Sequence, residues 1–434
     1  MLSAFDLVSL LLALTGLFGF VNYRLLRLPS HIGLLVIALA VSLATIGIDA
    51  LTPGLGIRQQ VGALFASADL PAAFLNGVLS FLLFAGALHV SMADLWRRKW
   101  TILVLATLGV VLATALLGIA MRFVFAWTGV PAPLIWCLVL GAVVAPTDPV
   151  AVLGIIRRLG LPTGLQATIA GESMFNDGVG IVVFTILLGI ATGPDGGSVS
   201  ISQVAGEFLL EAAGGAAFGI ATGWLAFVIL REIDEHNLEI IISLALVTGT
   251  YSLAQRLHLS GPIAVVVAGL ITGNKATLYA MSERTRRHLE TFWSLIDEIL
   301  NALLFLLIGL EVLLVRVDGR TLAAAACAVV LSVLVRGASV VVLAVPLHLR
   351  STIKAAGAAV LIWGGLRGGI SIALVLTLPA SPYRDPLLAA CYAIVLFTIV
   401  VQGLTLEPLV RRLGLPSPPG EAAAMSRGKA AAAE

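Results

Sequence analysis

Charge is what this chain has least of. Only 12% of its 434 residues are Asp, Glu, Lys or Arg, about half of the roughly 25% that wets the surface of a soluble domain. Most of its surface must therefore face something other than water, and 59% of the residues are hydrophobic. The signs nearly cancel, with 26 basic against 24 acidic residues, so the overall charge offers no footprint for nucleic acid or for an acidic partner. Cysteine is scarce too. Cys137, Cys327 and Cys391 each sit in an apolar run, and an odd number so placed argues against a disulfide framework and against a metal site. They read as small packing residues. None of the six histidines pairs with another at ligand spacing, so neither a transition-metal centre nor a cofactor is expected. A basic leader is missing as well: Met1–Asp6 carries no Lys or Arg, and the apolar stretch that follows ends on Arg24 and Arg27. Those flanks are reversed for a cleavable signal peptide, so the stretch reads as a permanent span.

Long apolar runs are what the chain does have. A spanning helix needs about 20 predominantly apolar residues. On that rule thirteen spans are expected, at roughly 7–23, 31–50, 71–92, 100–126, 134–156, 164–191, 203–230, 238–255, 260–274, 289–313, 321–346, 354–379 and 387–410. The fold class is thus an all-α polytopic membrane protein. Residues 1–412 form one transmembrane unit, and 413–434 an Ala/Gly/Pro/Ser-rich disordered tail. Eighteen Lys and Arg fall in connections on one side, against Arg58, Arg256, Arg316, Arg320 and Arg384 on the other. The excess of positive charge assigns the first side, with the C-terminus, to the cytoplasm and the N-terminus to the outside of an inner membrane. Thirteen spans divide as six, one and six, and an odd linker inverts the second six relative to the first, as in alternating-access transporters.

A few polar residues stand where lipid depth makes them expensive, since a charge at the bilayer centre costs about 2.5–3.5 kcal/mol even on a forgiving scale. The fifth span reads GAVVAPTDPVAVLG. Pro146 and Pro149 each remove a backbone donor and free the carbonyl four residues earlier, at Ala142 and Ala145. Asp148 before Pro149 is a good N-cap and first-turn pair. Two half-helices joined by an extended stretch at Thr147 and Asp148 are expected. Such backbone survives at that depth only where protein buries it or water reaches it.

The sixth span contains AGESMFNDGVGIVVF, in which Ser173 and Asp177 stack on one helical face and Glu172 and Asn176 on the next. Asp177 lies about 20 Å into the span at 1.5 Å per residue, near the midplane. A hydroxyl and a carboxylate one turn apart make half of an oxygen cage for a hard cation, and carbonyls freed in the fifth span could complete it. The twelfth span carries WGGLRGGIS, where the glycines around Arg367 let another backbone approach closely. Arg367 needs a carboxylate, and Glu172 is the expected one, because pairing with Asp177 would consume the ion ligand. Arg336 in the eleventh span faces the same core without a nameable partner. Asp297 and Glu298, about two turns into the tenth span, suit an acidic mouth and a membrane interface equally. Glu207 and Glu211 read as a solvated face near the outer boundary.

APTDPVAVL, AGESMFNDG, NALLFLLIGLEV and WGGLRGGIS, in that order on those spans, resemble the NhaP/NHE-type monovalent cation:proton antiporter family. The likeness runs from the third span to the end of the chain. It implies a thirteen-span inverted-repeat fold, a homodimer, and fifth and twelfth spans that unwind and cross at the ion site. It implies further that Asp177 carries the ion and the proton, that Ser173 and the Thr147 carbonyl are Na+ ligands, that Glu172 pairs with Arg367, and that Asp148 compensates the positive ends of the broken helices. Asn176 before the acid is associated in this superfamily with electroneutral one-for-one exchange. One departure stands out: relatives often carry an acid after LLF in the third span, and here LLFAGALHV places Ala85 there. A K+/H+ exchanger of the same fold is therefore the nearest rival to a Na+ (or Li+) carrier. An uncoupled channel is a more distant one. A membrane hydrolase, suggested by Gly171-Glu172-Ser173, lacks an intramembrane His or Lys to serve as base for Ser173.

Overall fold

Backbone that crosses lipid has no water to bond and must satisfy itself within helices, and the apolar runs do so. The computed structural model describes residues 4–52, 77–193, 201–276, 281–315, 318–344 and 355–415, and among these there is no strand. Nine described helices are long and apolar enough to cross a membrane, with shorter apolar helices at Leu79–Leu88, Leu134–Val144 and Gly261–Asn274. Of the expected features, the first residues of the third span and the tail beyond Leu415 lie outside the described residues. So do Arg58, Arg316, Arg350, Lys354, Arg427 and Lys429, as do the side chains of Arg157, Arg158, Glu207 and Lys275. Glu211 is exposed.

In chain order the principal helices are α1 (Ala4–Val21), α2 (Ser30–Leu51), α3 (Leu79–Leu88), α4 (Leu108–Thr128, preceded by the short helices Met92–Arg97 and Lys99–Ala106), α5 (Leu134–Val144), α6 (Val150–Arg158), α7 (Thr163–Thr192) and α8 (Ile201–Leu230). There follow α9 (His236–Arg256), α10 (Gly261–Ile271), α11 (Glu283–Glu311), α12 (Gly319–Ala344), α13 (Ala355–Trp363), α14 (Gly369–Leu376), α15 (Arg384–Phe397) and α16 (Gly403–Arg412). Side-chain caps start several of them. Glu235 accepts from Leu238 N at 2.7 Å ahead of α9, Ser282 accepts from Thr285 N at 3.4 Å ahead of α11, and Asp318 accepts from Thr321 N at 2.8 Å ahead of α12. Each satisfies an amide that the first helical turn leaves unbonded.

The helices pack as two bundles. One holds α1–α3 and α8–α11; the other holds α4–α7 and α12–α16. Each draws on both halves of the chain, as an inverted repeat does. In the first, α8 lays Gly215, Gly219 and Gly223 against Ser260, Ala264 and Ala268 along α10, close enough that a Cβ on any of the three would press on the neighbouring helix. Between lipid-facing helices, where apolar burial gives no drive, such backbone approach supplies the packing. In the second, a buried cluster joins Leu117, Met121 and Phe125 of α4 to Val139, Leu140 and Val143 of α5, with Ile394 and Val395 of α15. Leu304, Phe305 and Ile308 of α11 belong to that same cluster, so they seal one side of the seam between bundles. On the other side of the seam the bundles separate around a cavity.

Candidate ion-binding site

The two interrupted spans break where their prolines and glycines stand. α5 ends at Val144 and α6 begins at Val150, while α13 ends at Trp363 and α14 begins at Gly369. The second half of the first pair starts later than an Asp148 cap would have it: the Pro149 carbonyl accepts from Leu153 N at 2.7 Å. The two extended stretches lie against each other, with Asp148 N donating to the Leu366 carbonyl at 2.8 Å. The Asp148 carboxylate presses on Gly368, which leads into α14, and a Cβ there would lie 2.6 Å from its Cγ. Only glycine permits that approach.

Four half-helix ends meet at this crossing, and each broken C-terminus leaves carbonyls without intrahelical donors. Arg367, 3% exposed, serves the first. Its Nη1 donates to Ala145 O at 2.6 Å and to Pro146 O at 3.0 Å, and its backbone N–H donates to Thr398 Oγ1 at 3.1 Å. Arg336 serves the second, donating from Nη2 to Leu361 O at 3.1 Å. A cation at a helix C-terminus also meets the negative end of the helix dipole, so each arginine closes one broken helix.

This geometry corrects the expected pairing of Glu172 with Arg367. The carboxylate of Glu172 instead takes both terminal nitrogens of Arg336, with Nη2 at 3.0 Å from Oε2 and Nη1 on Oε1. The physical reason is the break itself. The Ala145 carbonyl freed by Pro149 needs a donor, and Arg367 supplies it. Arg336 reaches in from α12 past Gly365, where a Cβ would come within 2.7 Å of its Nε, and arrives at Glu172.

Thr147 ties the break to α7. Ser173 Oγ donates to the Thr147 carbonyl, and Asn176 Nδ2 donates to Thr147 Oγ1 at 2.8 Å. Asp177 follows on the Ser173 face and is 6% exposed. The structure thus brings Thr147, Ser173, Asn176 and Asp177 together as one carboxylate among hydroxyl, amide and backbone oxygens, the donor set a hard cation prefers.

Asp177, Ser173, Thr147 and Asp148 line a cavity of about 360 Å³ between the bundles. Asp297 and Glu298 line it too. Along α11 the lining passes from exposed Ser294 and Glu298, through half-buried Asp297, to buried Asn301. Ala85 lines the same space.

Other buried polar contacts were not anticipated. Tyr392 of α15 donates to Glu311 Oε2 at 2.7 Å, joining the two bundles beyond Ile308. His31 stacks on Phe305 with ring centroids 5.5 Å apart and borders the cavity. Asn301 and Ser371 also line it. For Glu311 the signal was present, an acid inside the apolar run NALLFLLIGLEV. Ser371 stands at the end of WGGLRGGIS, four residues after Arg367, whereas no local pattern marks His31.

A sequence model described as sodium/hydrogen exchanger, transmembrane, matches residues 9–412. The Na(+)/H(+) antiporter NhaP of Pseudomonas aeruginosa is 46% identical over 94% of this chain and 96% of its own length. The Na(+)/H(+) antiporter NhaH of Halobacillus dabanensis is 32% identical over 90% and 94%. Among solved structures, the sodium proton antiporter MjNhaP1 from Methanocaldococcus jannaschii at pH 8 superposes with a TM-score of 0.72 at 20% identity, covering 94% of this chain and 98% of that one. That last likeness concerns the fold.

Proposed function

Since the chain belongs to the sodium/hydrogen exchanger family and exchanges Na+ for H+ across a membrane, we propose that the exchange runs through Asp177. The observation that carries this reading is a buried carboxylate beside a broken helix, in a cavity that Asp297 and Glu298 also line. Na+ enters along Glu298 and Asp297 and loses water to the oxygens of Asp177, Ser173 and Thr147. Protonation of Asp177 neutralises the carboxylate and releases the ion, so the two cargoes exclude each other at one atom pair. No separate coupling device is needed: the site moves between the two sides of the seam loaded with one or the other. Asn176 holds Thr147 and adds no titrating group, so exchange is one for one and carries no net charge. No cofactor takes part, and no enzymatic step is assigned.

In this reading Glu172, Arg336, Arg367 and Asp148 are structural charges that hold the crossing open as a rigid frame. The protein is an inner-membrane homodimer, with the basic loops and C-terminus cytoplasmic, the N-terminus outside, and residues 1–412 forming the transporting unit ahead of a short tail. The cation is tested by imposing a pH gradient on proteoliposomes and adding Na+, Li+ and K+ in turn. Na+ and Li+ should dissipate it at concentrations where K+ does not. Dissipation by K+ alone would replace this reading with K+/H+ exchange.

A further inference from the structure

Two oxygen atoms enclosed at the cavity have no bonding partner. Asn301 Oδ1 and Ser371 Oγ make no hydrogen bond, their residues are 0% and 1% exposed, and both residues line the space that contains Asp177. The Asn301 amide is oriented by its own nitrogen. Nδ2 donates to Asp297 O at 2.8 Å and to Asp297 Oδ1 at 3.0 Å, which leaves the carbonyl oxygen as the atom without a donor. The two oxygens come from opposite bundles, Asn301 from α11 and Ser371 from α14. Their helices touch within a turn of both: Leu304 packs onto Gly369, where a Cβ would lie 2.9 Å from the leucine Cγ.

A buried acceptor without a donor is a standing cost, and it persists where a ligand relieves it. An amide oxygen and a hydroxyl oxygen are ligands for a hard cation, and the Asp297 carboxylate bonded to the same amide favours a cation over an anion there. Ala85 lines the cavity from α3 and its side chain carries no oxygen for a cation, so cation choice has to rest on other residues. We propose that Asn301 Oδ1 and Ser371 Oγ, backed by Asp297, form a second cation station in the wall of the cavity. It strips part of the hydration shell from a monovalent cation and so determines which cation reaches Asp177. The proposal rests on the reading that Asp177 carries the exchange. Smaller cations hold water more tightly, so they depend more on each replacement oxygen: losing one should penalise Li+ and Na+ more than K+.

The test uses the purified full-length protein in proteoliposomes, with half-saturation by Na+, Li+ and K+ read from the decay of an imposed pH gradient. Ser371→Ala deletes an atom that bonds to nothing, so thermal stability should hold. Half-saturation by Na+ should rise roughly tenfold, the scale of one lost contact to a charged group, with a smaller rise for K+. Asn301→Ala should do the same, and where it fails to fold for want of its Asp297 bonds, Ser371→Ala carries the test alone. Unchanged half-saturation and unchanged cation order in Ser371→Ala would overturn the station and leave these oxygens to water. Asp177→Asn in the same preparations separates the two claims. An inactive Asp177→Asn beside an unaltered Ser371→Ala removes the station only, and an active Asp177→Asn removes the reading on which it rests.

Discussion

Replacing Glu172 by Gln leaves Arg336 a cation in a site it cannot leave. The side chains of Arg336 and Glu172 are 11% and 2% exposed and meet through two parallel contacts. Removing one member of such a buried pair typically costs about 3–5 kcal/mol, most of it the desolvation of the stranded charge. Arg336 keeps its bonds to Leu361 O at 3.1 and 3.3 Å, and a glutamine can still accept one hydrogen bond, so the lower end of that range applies. Adding Arg336→Gln removes the stranded charge and should recover roughly 1–3 kcal/mol, the usual coupling for residues in direct contact. Arg367 provides the control. Its own bonds run to Ala145 and Pro146, so Glu172→Gln with Arg367→Gln should recover much less than Glu172→Gln with Arg336→Gln. The assay is thermal unfolding of the purified single and double variants in one detergent, read as a double-mutant cycle. Strictly additive losses for Glu172 and Arg336, or a larger coupling of Glu172 to Arg367, would refute the pairing and with it the assignment of one arginine to each broken helix.

Three further outcomes follow from the same geometry. Because Na+ and the proton compete for one carboxylate, half-saturation by Na+ should rise as pH falls, with little change in the maximal rate at saturating Na+; a maximal rate that falls with pH at fixed half-saturation would contradict competition. One-for-one exchange should ignore voltage when the liposome potential is set with K+ and valinomycin, once K+ is shown not to be carried, and a rate that climbs steeply with potential would require more than one proton per ion. Tyr392→Phe deletes the donor of the Tyr392–Glu311 contact between bundles and should cost about 1.5–3 kcal/mol of thermal stability if Glu311 is ionised, whereas an unshifted unfolding temperature would show that this contact holds nothing.

Much of this architecture could be read from the chain because lipid enforces local rules. Apolar length marked the long helices, and paired prolines at 146 and 149 and glycines around Arg367 marked the two breaks. Asp177 and Ser173 needed only helical spacing to be placed together. Partner choice was harder. Two arginines and one glutamate at similar depth admit more than one pairing, and the tie is broken by which carbonyls the breaks leave without donors, a fact of three-dimensional crossing. Asn301 and Ser371 stand in the runs NALLFLLIGLEV and WGGLRGGIS, but an unpaired oxygen can be recognised only when every neighbour is in place. The short contact of Tyr392 with Glu311 joins residues 81 positions apart, and nothing in either local sequence names the other.

In this reading a single carboxylate, Asp177, exchanges Na+ for the proton. Purified Asp177→Asn protein in proteoliposomes, shown to be folded by an unfolding temperature close to the parent's, measures this most directly. Addition of Na+ should leave an imposed pH gradient intact, at the rate of empty liposomes. A Na+-driven proton flux comparable to the parent's would show that a group other than Asp177 carries the exchange.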